Sequence, residues 1–339
     1  MIVSEPGAVA TGSNCAIESI DPVATAPGSD TLPSLTVGLL TFLLFIESLF
    51  KASEASTMKR LFSIGVFCVL AISSALPAAA QKMTVEQLIT RHREAIGTAK
   101  ARAAVQTRII SGTAQVIFRT TPSGQAIGKA VLASEGTKQL FGMSFPSPVY
   151  PREQLTFNGV NFMAAFATPG TRSVLGNFLM TNDAIFKQSL MCGVLSAGWP
   201  LLDLEKRQPN VEYLGTGKVD GRNVHELRYT LRGNSDLKIT LYFDAEDFRH
   251  VRTEYERVVP APMGRVEYTN VQEREGRYKM IEDFSLFKPE GELTLPHIYT
   301  IRLSVDTVNG TSQAEWTIKL TNFEFNQKID QAAFSTSGS

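Results

Sequence analysis

The feature that most limits what this chain can fold into is a strict two-residue alternation, repeated three times between residues 224 and 256. Across residues 224–231, His225, Leu227, Tyr229 and Leu231 share one face while Glu226, Arg228 and Thr230 share the other. That period is the mark of a half-buried β-strand. Asp220-Gly221 comes before it and Gly233-Asn234-Ser235-Asp236 after it, residue types that tolerate the positive φ of tight hairpin turns. Residues 237–243 repeat the pattern, with Leu237, Ile239, Leu241 and Phe243 opposite Lys238, Thr240 and Tyr242, and residues 250–256 repeat it again. One apolar face and one wet face define an antiparallel meander, since the strands of a parallel sheet read as continuous apolar runs. Such a sheet must close over something.

The same alternation recurs upstream and downstream. Gly112, Ala114, Val116 and Phe118 alternate with Ser111, Thr113, Gln115 and Ile117 before a Thr121-Pro122-Ser123-Gly124 turn. Further strands are expected at 128–133, 140–145, 155–157 and 160–166, with Asn158-Gly159 as a hairpin turn. After Pro260 they are expected at 266–271, 278–287, 295–305 and 314–325, with Asn309-Gly310 as another turn. In front of them Thr84, with Gln87 three residues on, forms a capping box for a helix whose apolar stripe is Val85, Leu88, Ile89, His92 and Ile96. Gly97 ends it, and His92 reads as a packing residue on the stripe. The fold class this predicts is mainly β (α+β). It is a single curved antiparallel sheet, or incomplete β-barrel, of about ten or eleven strands with an N-terminal helix and an internal helical lid or plug.

That internal segment is where alternation stops. Across residues 168–204, Phe178, Leu179, Ile185, Phe186, Leu190, Met191, Val194, Leu195, Trp199, Leu201 and Leu202 crowd a stretch with few charges. Asn182 or Thr181 is placed to cap a helix running to Cys192, and Gly193 and Gly198-Trp199-Pro200 interrupt the chain beyond it. Two readings stand side by side: a helix filling the open side of the sheet as ordinary core, or a lid over an apolar cavity, with Gly and Met lending adaptability.

Residues 1–57 read as an extension outside the folded unit. Met58-Lys59-Arg60, an apolar run over 61–76 and Pro77-Ala78-Ala79-Ala80-Gln81 then compose a secretory signal peptide with an A-x-A site ending at Ala80. Translation is expected to begin at Met58, and the mature product, residues 81–339, to be a single soluble domain of the periplasm. The apolar runs at 35–50 and 61–76 both fall short of the roughly 20 residues of a membrane span. With 33 basic and 33 acidic side chains there is no net field to attract nucleic acid. The three cysteines, Cys15, Cys68 and Cys192, leave Cys192 alone in the mature chain, so no disulfide framework is expected.

No G-x-S-x-G, H-E-x-x-H, C-x-x-C, G-x-G-x-x-G or G-K-[ST] occurs in the mature region, so the reading is a non-enzyme without cofactor or metal. The best polar constellation is His225, His250, Glu254 and His297. Even spacing puts His250 and Glu254 on one strand face, which is read as the wet one, while His225 and His297 read as amphipathic edge residues. Arg249, Arg252, Arg257 and Arg265 with Glu254, Glu256 and Glu267 read as a mixed-charge solvated face.

Several stretches together resemble one family. They are the opening helix ending in Ala95-Ile96-Gly97, the strand around Ile110-Ser111-Gly112-Thr113, and the run Tyr213-Leu214-Gly215, Val219-Asp220-Gly221-Arg222, Leu241-Tyr242-Phe243-Asp244. With Leu295-Pro296-His297 and Phe323-Glu324-Phe325-Asn326, this looks like the bacterial outer-membrane lipoprotein-sorting superfamily, the LolA/LolB-like proteins. The resemblance spans most of residues 83–335 and implies an antiparallel half-barrel wrapped around helices, enclosing an apolar cavity for lipoprotein acyl chains. The residues expected to line that cavity or its lid are Phe118, Phe157, Phe162, Phe166, Phe186, Leu190, Trp199, Leu227, Tyr229, Leu241, Tyr299 and Trp316. The expected ligand is a lipid or lipoprotein acyl chain bound by a monomer, with other envelope proteins as partners. The alternatives are a structural or partner-binding module of the envelope, and a hydrolase or cyclase working at the barrel mouth.

Overall fold

Alternating sequence needs a partner on each side of every strand, and the chain meets this by pairing consecutive strands with short turns. The computed structural model describes residues 83–120, 123–233, 235–260, 275–308 and 310–335. The chain divides into two units, Met1–Ala80 and Gln81–Ser339, and the described residues belong to the second. The extension at 1–57, the signal peptide, the strand expected at 266–271, Arg265, Glu267 and parts of the turns at 121–122, 234, 261–264 and 309 lie outside them.

Among the described residues twelve antiparallel strands form one sheet: β1 Thr107–Phe118, β2 Gly124–Glu135, β3 Lys138–Ser144, β4 Arg152–Phe157, β5 Phe162–Ala164, β6 Asn210–Val219, β7 Arg222–Thr230, β8 Lys238–Asp244, β9 His250–Val259, β10 Gly276–Glu290, β11 Leu293–Thr307 and β12 Gly310–Phe325. Their spatial order, β5-β4-β3-β2-β1-β12-β11-β10-β9-β8-β7-β6, is two meanders joined where β12 pairs with β1. The sheet curves without closing, and β5 and β6 are its free edges. The chain between them, residues 165–209, therefore runs from one edge to the other. It carries α3 (Val174–Thr181), the turn α4 (Ala184–Lys187), a 3-10 turn (Gly193–Leu195) and α5 (Leu204–Arg207). Leu175, Phe178, Leu179, Ile185, Phe186, Leu190, Met191 and Trp199 of this crossing segment share one core cluster with inward-facing strand residues.

The first helix, α1 (Val85–Ile96), has both halves of the capping box, Gln87 N donating to Thr84 Oγ1 at 3.2 Å and Thr84 N to Gln87 Oε1 at 3.0 Å. It buries Leu88, Ile89, His92 and Ile96, and α2 (Ala99–Ala104) comes next.

Three expectations are corrected. The helix expected from Asn182 to Cys192 begins earlier: Ser173 caps α3 by accepting from Gly176 N at 2.8 Å, and Asn182 closes the helix. Ser173 and Asn182 are both capping types, so composition could not choose between them. The strand expected at 160–166 shrinks to Phe162–Ala164. The shared face of His250 and Glu254 fails because β9 is bulged: Tyr242 pairs with Arg252 and Phe243 with His250, leaving Val251 extra. One extra residue reverses the facing of everything before it. His250 points into the core, fully buried, while Glu254 faces outward.

A second irregularity, between Ser111 and Gly112 on β1, shows why a glycine sits there. A Cβ on Gly112 would stand 1.9 Å from the Lys319 carbonyl oxygen. Gly112→Ala should therefore cost about 1–3 kcal/mol through forced backbone shifts, whereas Gly124→Ala, which meets nothing within 4 Å, should stay within about 0.5 kcal/mol. Urea unfolding of the two variants beside the parent checks this.

Candidate functional site

Buried irregular backbone must find hydrogen-bond partners, and the crossing segment finds them on polar side chains that point inward from the strands. Gln139 Nε2 on β3 donates to Met191 O at 3.0 Å, and Ala197 N donates to Ser134 Oγ on β2 at 2.9 Å. Arg108 on β1 donates to Val194 O. Glu282 on β10 accepts from Cys192 N at 2.8 Å, from Tyr255 Oη at 2.6 Å and from Tyr299 Oη. Ser189, Cys192 and Gly193 all hold positive φ, a conformation that side chains other than glycine adopt only where surrounding contacts enforce it. A Cβ at Gly193 would lie 2.9 Å from His250 Nδ1 and from Phe284. The segment is thus seated in one position.

A second carboxylate holds the start of the segment. Glu153 on β4 accepts from Tyr150 Oη at 2.7 Å, and Ser173, the cap of α3, helps to lower its carboxyl against burial. Tyr150 Oη in turn accepts from Trp316 Nε1 at 2.9 Å. Burial raises both Glu282 and Glu153 to about 7, against the hydrogen bonds they accept. Arg108 forms no salt bridge among the described residues, and burial lowers it to about 10. At the far side Trp199 Nε1 donates to His92 Nε2 at 3.2 Å, while His92 Nδ1 lies 3.1 Å from Phe248 O. Burial lowers His92 to about 4 and pushes His250, stacked on Trp199, well below its usual range.

Of the twelve residues singled out by sequence, Phe157, Phe186, Leu190, Trp199, Leu227, Tyr229, Leu241, Tyr299 and Trp316 are buried in one cluster, and Phe118 and Phe162 pack against it half-buried. Phe166 is the exception: it lies at the sheet end, 41% exposed, under the Arg172 guanidinium at 4.5 Å. Space opens at other places. A cavity of about 400 Å³ opens between α3 and the inner face of β9–β11, lined by Val174, Asn177, Phe178, Thr181, Asn182, Arg257, Val259, Tyr278 and Val305. None of the twelve lines it. Phe178 and Tyr278, stacked 6.4 Å apart, belong to or pack against the main core cluster. Arg257, read from sequence as solvated, faces this cavity and pairs with Asp236 at 3.0 Å. Inward alternation counted along β9 from Tyr255 would have found it.

The polar constellation comes apart. His225 takes a 2.9 Å hydrogen bond with Tyr213 Oη, His297 Nε2 lies 3.0 Å from Glu290, and His250 sits under the segment. Among the described residues no group of three His, Cys, Asp or Glu could hold a metal ion, and no helix is long and apolar enough to cross a membrane.

No protein-family model matches the chain, and no curated protein matches it. Among solved structures it is similar to a LolA superfamily protein from Nitrosomonas europaea, at 11% identity over 75% of this chain and 98% of that one, with a TM-score of 0.40. It is similar also to an outer membrane lipoprotein-sorting protein domain from Vibrio parahaemolyticus, at 13% identity over 73% and 97%, TM-score 0.39. A DUF1329 family protein from Desulfovibrio piger aligns at 10% identity over 75% and 98%, TM-score 0.39.

Glu282 makes the seating of the segment depend on pH. Its carboxyl, at about 7 when folded and about 4.3 when unfolded, binds its proton more tightly in the folded state. Its contribution is therefore fully present below about pH 4 and is lost as pH rises through 7. His92 and His250 have the opposite sign, contributing above about pH 6.5 and losing that contribution on acidification. Comparing the parent with Glu282→Gln at each pH cancels the histidines. The stability difference between them should shrink by about 1 kcal/mol from pH 6 to pH 8, read by denaturant unfolding in both buffers.

Proposed function

We propose that this chain is an exported binding protein for a hydrophobic or amphiphilic ligand of the acyl-chain class, taken up at the cavity beside α3 and held without covalent chemistry. The observation that carries the reading is that cavity. Its volume of about 400 Å³ lies within the range of small-ligand sites, and its lining sets Val174, Phe178, Val259, Tyr278 and Val305 beside Asn177, Thr181, Asn182 and Arg257, a mixed surface that suits an amphiphile. Each buried methylene of a chain is worth about 0.8 kcal/mol, so a long chain needs no charged anchor.

Magnitudes decide how the ligand enters. The crossing segment fully buries about ten large apolar side chains, and at about 2 kcal/mol each they hold it by a gross amount on the order of 20 kcal/mol. That exceeds the roughly 5–15 kcal/mol by which a domain is stable. Lifting the whole segment as a lid is therefore too costly. Entry proceeds from the end at α3, where Phe178 and Tyr278 part and the ligand replaces their contacts as it advances.

Native mass spectrometry of the exported protein should show a co-purifying lipid, and a fluorescent fatty acid should bind in solution. Asn177→Trp fills the opening from the helix side and should weaken the probe about tenfold, equivalent to about 1.4 kcal/mol, with an unchanged melting temperature. Absence of both lipid and probe binding would sink the reading.

A further inference from the structure

A separate cleft of about 440 Å³ opens between α1 and α2, with Thr90, Arg93, Glu94, Gly97, Thr98 and Arg102 in its lining. None of these residues lines the cavity beside α3. The two helices are held firmly: Ile96 and Ala101 are buried against Leu293 and Leu295, and a Cβ on Gly97 between them would stand 2.7 Å from Glu292 O. Positive charge collects here in a chain that has no net charge. Residues 90–102 carry Arg91, Arg93, Lys100 and Arg102 against Glu94 alone, and Arg91 is engaged elsewhere, over the Phe248 ring at 4.9 Å.

Arg93 and Arg102 lie close enough to repel, since burial and then the Arg93 charge lower Arg102 below its ordinary range. Neither pairs with a carboxylate among the described residues, whereas Arg119, Arg228, Arg249 and Arg277 each hold one at 2.7–3.2 Å. Arg102 is fixed in position, because its Nη1 donates to Arg93 O at 2.6 Å and to Gly97 O beyond the end of α1. That leaves its Nε and Nη2 for another acceptor. Arg93 is less satisfied: its Nε is shut away from solvent with no hydrogen-bond partner, a costly state for a charged donor. Thr98 Oγ1 accepts from Ala101 N at 3.1 Å, and its hydroxyl hydrogen is left to donate.

We infer that the cleft between α1 and α2 binds an oxyanion of the phosphate class, clasped by Arg93 and Arg102 with a further hydrogen bond from the Thr98 hydroxyl. One guanidinium fork satisfies the two oxygens of a carboxylate, whereas two forks match the three terminal oxygens and the double charge of a phosphate ester. Like charges set in a concave wall concentrate their field on an arriving anion. Binding draws the Arg93 fork into the cleft and supplies the acceptor that its Nε lacks. The cleft is larger than a bare phosphate needs, so the phosphate arrives on an organic remainder, either a soluble ester or a lipid headgroup. Glu94 is the acid of the lining and opposes the anion. The site stands independently of the cavity beside α3, and either can fail alone.

Isothermal titration of the full mature chain with inorganic phosphate and with glycerol 3-phosphate tests it. Both should bind, and acetate should bind about tenfold more weakly than phosphate or worse. Arg93→Gln should lose about tenfold or more in phosphate affinity while melting like the parent and keeping its fatty-acid probe affinity. Arg102→Gln should lose as much and also melt lower, because it uncaps α1. Glu94→Gln should bind phosphate several-fold more tightly, a gain that a purely structural role for these residues does not produce. Lys129→Gln, which removes one positive charge from β2, should bind as the parent does. Co-sedimentation with phosphatidylcholine vesicles containing phosphatidic acid, abolished in Arg93→Gln, assigns the phosphate to a lipid headgroup, and a parent left in the supernatant assigns it to a soluble ester. No heat with either soluble probe overturns the site, as does an Arg93→Gln variant that binds undiminished or a Lys129→Gln variant that loses as much. Acetate bound as tightly as phosphate overturns the choice of phosphate.

Discussion

An antiparallel sheet that curves but does not close leaves an apolar concave face, and the rest of this structure depends on the need to keep water off it. The uncovered gap lies between β5 and β6, and the chain that crosses it, residues 165–209, is also what covers the face. Covering with irregular backbone instead of a regular helix creates a second need, because N–H and C=O groups removed from water must be paired. Arg108, Ser134, Gln139 and Glu282 answer it from four different strands. Apolar burial decides that the segment adheres, and these polar contacts decide where.

The two kinds of contact respond differently to conditions. Apolar contacts are indifferent to pH, whereas Glu282, Glu153, His92 and His250 are ionisable groups enclosed in the core and shifted by burial away from their ordinary ranges. The acids resist ionisation and the histidines resist protonation, so all four favour their neutral forms under the segment. Tyr255, Tyr299 and Cys192, all pushed well upward by burial and by Glu282, stay protonated beside them. Below about pH 7 these groups are neutral together, and such a core tolerates polar groups without paired charges. Arg108 departs from this, a cation whose only relief among the described residues is carbonyl hydrogen bonding and whose cost the surrounding packing must offset.

Much of this architecture was determined by sequence alone. Period-two alternation is local, so the strands, the one-sided apolar face, the capped first helix and the single sheet could be read from residues such as Leu227, Tyr229, Leu241 and Trp316, whose facing depends only on their neighbours. The apolar crowding from Phe178 to Leu202 likewise announced a covering element. What only tertiary structure decided were features set by pairing between distant residues. The extra residue at Val251 turned His250 inward, the order of strands made residues 165–209 a bridge between free edges, and Ser173 and not Asn182 came to cap α3. The cavity beside α3 fell among Asn177, Thr181, Arg257 and Val305 and not among the aromatic residues singled out by sequence, for a physical reason. The most apolar side chains fill whatever space they enclose, and space remains where shorter or charged ones meet.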